Sequence, residues 1–76
     1  MSFAVLWDYP AEVVLLHHVP WPTSSHVAMT IQRYARERAP HLPTGERRFV
    51  AAGYRVGVRI DEKARTVLVL YLYRMA

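Results

Sequence analysis

Arginine supplies most of the basic charge in this sequence. Nine arginines and one lysine stand against six acidic residues, for a net charge of +4 over 76 residues. A guanidinium presents its N–H donors as a rigid fork that grips phosphate or carboxylate at two points, which an ammonium group does not. The chemistry open to such residues is the binding of oxyanions and the stabilisation of charge that builds on them. Arginine enrichment also follows from GC-rich coding or thermophily, so position has to separate the two explanations. Two arginines are placed suggestively: Arg55 and Arg59 flank Gly57 in YRVGVRI, residues 54–60.

Other chemistry is poorly supplied. There is no cysteine, which removes disulfides, thiolate nucleophiles and cysteine-based zinc sites. His17 and His18 are adjacent and diverge by about 100° on a helix, so they do not face one ion, and no carboxylate lies at the spacing of a helical zinc pair. With His26 and His41 they read as capping or surface groups, and neither a metal nor a cofactor is expected. Trp7 lies in an apolar run and reads as core. Trp21, between two prolines, reads as packed against a helix end. The segment RYARER, residues 33–38, is interrupted by Glu37 and reads as a solvated helix face. No phosphate-binding glycine loop and no nucleophile–base motif is present.

The elements that must carry these residues follow from patterning. The length suits one domain, 1–76, with a small core. Asp8 and Pro10 interrupt the first apolar run, so no secretory signal is expected, and the run from Thr66 to Tyr73 is far short of the ~20 residues that span a bilayer. A chain without membrane contact, in the cytoplasm, is the expectation. SFAVLWD (2–8) predicts a strand. Asp8 caps a short helix over PAEVVLLHHV, with Val13, Val14, Leu16 and His17 inward. PWPT breaks it. Ser24 or Thr23 then caps a second helix, whose Val27, Ile31, Tyr34 and Ala35 share one face. After the linker PHLPTGE come three strands: RRFVAA, YRVGVRI and TVLVLYLYR, joined at Gly53 and at DEKAR. The order β-α-α-β-β-β gives an α+β domain: a small antiparallel sheet with two helices packed on one face.

Side chains alternate faces along a strand. Tyr54, Val56, Val58 and Ile60 should face the helices, which leaves Arg55 and Arg59 on the open face, with Gly57 between them giving access to the backbone. Arg47 and Arg48 point to opposite faces, so one of them joins that patch. The same alternation in the last strand groups Val67, Val69, Tyr71 and Tyr73 against Leu68, Leu70, Leu72 and Arg74. Both sets are apolar, and a strand apolar on two sides expects cover on two sides. Leu68, Leu70 and Leu72 are therefore expected at an interface with another protein or a second copy of this chain.

The element order, together with GYRVGVRIDEKARTVLVLYLYR, resembles the RelE/ParE superfamily of bacterial toxins from toxin–antitoxin pairs. The residues that carry the likeness are Tyr54–Arg55, the acidic turn Ile60–Asp61–Glu62–Lys63, and Arg74 closing the last strand. It is good over residues 46–74 and looser over 2–19. The resemblance implies a RelE-like fold, no metal or other cofactor, and an antitoxin partner. It also implies a target that is either messenger RNA on the ribosome or DNA gyrase. In the RNA-cutting members the 2′-hydroxyl attacks the adjacent phosphate while fixed cations hold the developing charge. Carried over by position, Arg48, Arg55 and Arg74 would form the catalytic clamp. Arg59 joins the nucleic-acid-binding set by face parity alone.

Two positions depart from the family pattern. Glu46 stands where a second basic residue is usual. The tyrosine or histidine that the nucleases place beyond the last strand has no counterpart in Met75–Ala76, and parity sets Tyr71 and Tyr73 opposite Arg74. The expectation is thus a toxin-type domain with an arginine phosphate clamp. The alternatives are an inactive toxin-like binding module or gyrase inhibitor, and a homodimeric structural protein.

Overall fold

Asp8 divides the first strand from the first helix, as its residue type predicts. The structure, a computed structural model, describes residues 3–75. It runs β1 (Ala4–Trp7), α1 (Tyr9–His17), α2 (Thr23–Glu37), one 3-10 turn (Ala39–His41), β2 (Gly45–Ala51), β3 (Tyr54–Asp61) and β4 (Thr66–Arg74). Ser2, where the expected first strand began, lies outside the described residues. The Asp8 carboxylate accepts from the Tyr9 N–H at 3.0 Å, and Pro10 sits in the first turn, where no helical donor is needed.

The two helices differ in how well their inward faces could be read. In α2, Val27, Ile31 and Ala35 are buried and Tyr34 packs beside them, as the spacing predicts. Pro22, rather than Thr23 or Ser24, occupies the cap position, without a side-chain hydrogen bond. In α1, Ala11 is fully buried and Val14 and Leu15 lean on the core. Leu16 and His17, expected inward, are exposed. Four consecutive apolar residues, 13–16, define no unique stripe, so contact with β4 selects the face. Trp21 is also exposed rather than packed, while Trp7 packs against the core as expected.

The four strands lie in the order β1-β4-β3-β2. Hairpins make β2, β3 and β4 alternate in direction. The expected all-antiparallel sheet needs correcting at β1, which reaches β2 through helices rather than a hairpin. It escapes the alternation and runs parallel to β4. Val5, Trp7, Val56, Val58, Ile60, Val67 and Val69 meet the helices in a single core. The β2–β3 turn places Ala52 and Gly53 at φ 50° and 86°, the doubly left-handed geometry that suits the twist of a tight hairpin. The β3–β4 turn is closed by Asp61, whose carboxylate accepts from the Ala64 N–H at 3.0 Å.

One irregularity governs the side-chain directions in β4. Val58 pairs with Val69, but the next pair is Gly57 with Tyr71, so Leu70 is a bulge residue without a partner on β3. An unmatched residue shifts every later side chain to the other face.

Candidate functional site

Beyond the bulge, β4 reverses the alternation expected of it. Leu72 pairs with Val56 and is 4% exposed, so it belongs to the core. Its assignment to an interface with Leu68 and Leu70 is corrected on that ground. Leu68 and Leu70 are half-buried. Leu68 sits beside Leu6 of β1 and Arg59 of β3 on the side away from the helices. Arg74 pairs with Tyr54, whose ring is buried on the helix side. It lines a cleft with Val14, His18 and Thr23, around the sheet from Arg55.

The open face therefore gathers a different set. Arg48 lies opposite Gly57, and Arg55 lies between Val50 on one side and Tyr73 on the other. Tyr71 and Tyr73, which simple alternation put on the helix side, share this face with Arg48 and Arg55. Of the residues expected to converge, Arg48, Arg55 and Arg59 do so by register and Arg74 does not. Arg47 faces the helix side of β2, where its Nη1 donates to the Glu46 carbonyl at 2.8 Å.

Two contacts tune this surface. Glu46 accepts from the Arg59 guanidinium at 3.1 Å across the β2–β3 pair, so this carboxylate offsets one of the arginines. Both side chains are exposed, and such a pair stabilises the fold by at most about 1 kcal/mol. Gly57 does not leave backbone open to a ligand, as its sequence context suggested. A Cβ at this position would occupy the space of the Tyr71 ring, so the missing side chain is what lets that ring lie across β3. Beside it, Glu46, Arg48, Leu70 and Tyr71 line a shallow depression of about 200 Å³.

Sequence reasoning set aside Tyr71 and Tyr73 because it assumed an unbroken strand. A signal was available: keeping strict parity buries two tyrosines and exposes Leu72, whereas a one-residue slip reverses both. Gly57, the one residue of β3 small enough to accept a ring, stands opposite Tyr71. The two tyrosine rings lie 5.7 Å apart and nearly parallel, at 20°. On the far side of the sheet, Tyr34 of α2 stacks on Phe49 of β2 at 4.0 Å. Burial raises the pKa of the Tyr34 phenol, while the Arg38 and Arg47 guanidiniums act in the opposite sense. Among the described residues, no three His, Asp or Glu side chains come together as a metal site would need.

Searches with the sequence find no matching family model and no matching curated protein. Among solved structures, a chain of the toxin–antitoxin complex RelBE2 from Mycobacterium tuberculosis is similar, with a TM-score of 0.81 at 24% identity. The match covers 100% of this chain and 94% of that one. The likeness shows the fold: two helices over a four-stranded mixed sheet, in the RelE-like arrangement. No helix among the described residues is long and apolar enough to cross a membrane.

Proposed function

We propose that this chain is the toxin-type member of a toxin–antitoxin pair, and that its open sheet face binds an RNA backbone through Arg48 and Arg55. The supporting observation is that these two guanidiniums share the one sheet face the helices leave uncovered, in a fold also found in a toxin–antitoxin complex. Phosphates carry most of the affinity in such contacts and fix the register of the strand. For cleavage, a ribose 2′-hydroxyl gives up its proton to solvent water and its oxygen bonds to the adjacent phosphorus as the bond from phosphorus to the 5′-oxygen breaks. The products are a 2′,3′-cyclic phosphate and a 5′-hydroxyl. Guanidiniums at 48 and 55 stabilise the phosphorane charge, and the Tyr71 phenol is the nearby group able to protonate the departing oxygen. Arg74, on the other side of the sheet, is left outside the clamp. DNA lacks the attacking hydroxyl.

The apolar side of the same face, with Leu6 and Leu68 in register, is assigned to the antitoxin. Incubating the protein with ribosomes translating a defined message tests the reading. Wild type is expected to cut, and Arg55→Ala to slow cutting by roughly 10²-fold or more. Intact message with wild type would exclude the nuclease. A second reading, a toxin-like chain that binds its target without cutting it, is favoured by Glu46, which engages Arg59. It predicts antitoxin capture or gyrase inhibition with intact RNA.

A further inference from the structure

The bulge at Leu70 delivers an exposed aromatic ring to the arginine face, and nothing in the clamp described above uses it. Tyr73 is 52% exposed. Its ring is backed at 5.7 Å by that of Tyr71, which in turn is seated over Gly57. The cross-strand neighbour of Tyr73 is Arg55, and Arg48 lies opposite Gly57 one strand further on. Among the described residues, the β2 carboxylate on this face, Glu46, is at the far end and already engaged by Arg59. The result is a flat, supported, half-exposed ring with Arg55 and Arg48 on one side, neither of which is ion-paired to a carboxylate among the described residues.

We propose that Tyr73 is a stacking platform for one unpaired nucleobase of a single-stranded RNA, with Tyr71 as the positioning residue beneath it. The proposal rests on the reading of the open face as an RNA-binding surface and specifies what that surface recognises. A base has an apolar, polarisable face that suits a tyrosine ring, and the phosphates flanking a splayed base fall toward Arg55 and Arg48. A base-paired strand keeps its bases stacked inside the helix and has none to offer. Selection of single strands follows from the platform, whereas the arginines alone would bind either form. Gly57 is required because any side chain there displaces the Tyr71 ring and removes the support.

Fluorescence anisotropy with the full chain and a labelled oligoadenylate decamer tests the assignment, with an abasic decamer of the same backbone as control. Tyr73→Ala is expected to weaken binding to oligoadenylate about tenfold, and Tyr73→Phe to leave it within about twofold of wild type. On the abasic strand, wild type and Tyr73→Ala should bind alike. Because Tyr73 is exposed, the variants should keep the wild-type circular dichroism spectrum, and Tyr73→Leu serves as a second variant that retains apolar bulk without a ring. If Tyr73→Ala binds oligoadenylate as well as wild type while Arg55→Ala binds poorly, the platform is wrong and the clamp stands. If neither substitution matters, the RNA-binding reading falls with it. An equal loss on both strands would also overturn the platform, since it would place the Tyr73 contribution on the backbone.

Discussion

β3 and β4 lie side by side and begin alike, each directing alternate aliphatic residues toward the helices. β3 keeps that alternation over its whole length, with Tyr54, Val56, Val58 and Ile60 buried. β4 keeps it through Val67 and Val69, then spends Leu70 without a partner and resumes with the opposite parity. The strand that holds its register supplies Arg55 and Arg59, and the strand that breaks it supplies the tyrosines. A bulge re-aims side chains while leaving the ladder on either side intact. Here it brings two aromatic rings to a surface that a regular strand would have lined with Leu72 and Arg74.

Single-residue deletions break the comparison most sharply. Removing Leu70 should leave a regular β4 whose remaining side chains keep their present faces, so a cooperative thermal transition is expected. Removing Val58 from the regular strand turns part of β3 inside out and brings Arg59 toward the core. That should exceed the ~5 kcal/mol available to a small domain and abolish the transition. A folded Val58 deletion, or an unfolded Leu70 deletion, would contradict the register described here.

The next effect is smaller and lies within β4. Leu72→Ala, in the core, should cost about 2–4 kcal/mol in urea denaturation, and Leu68→Ala, half-exposed before the bulge, less than about 1 kcal/mol. Equal costs would mean that the two leucines share a face after all. The smallest effect concerns the covered side of the sheet, where the Tyr34 phenol titrates above its ordinary value of 10.0 because burial disfavours the charged form. Its neutral form is therefore favoured in the folded state. The stability this confers is fully present below the unfolded pKa and is lost as pH rises through the folded one. Melting temperatures above pH 10 should fall more steeply for wild type than for Tyr34→Phe; parallel curves would remove Tyr34 as the cause.

Much of the fold was legible because it depended on local chemistry. Asp8 and Pro10 marked the start of α1, the spacing of Val27, Ile31 and Ala35 marked the buried side of α2, and Gly53 marked the β2–β3 turn. The parallel placement of β1 was not legible, since pairing between strands distant in sequence leaves no local signature. The candidate site was half legible. Arg55 and Arg59 lie on a strand with regular alternation and were assigned the right face, whereas alternation left open which of Arg47 and Arg48 joined them and only the resemblance pointed to Arg48. Arg74 and the tyrosines follow a bulge, and their direction was misjudged for that reason.

By itself the sequence determined the element order, the helix-facing valines of β3, the surplus of guanidiniums and the absence of thiol chemistry. These rest on residue type and short-range periodicity, which act within a few positions along the chain. Only the tertiary structure decided which side of the sheet each residue after Leu70 would occupy. That choice depends on which side chains fit between sheet and helices. Burying Leu72 against Val56, and letting the Tyr71 ring lie over Gly57, is the arrangement that fills the core without confining two phenols inside it.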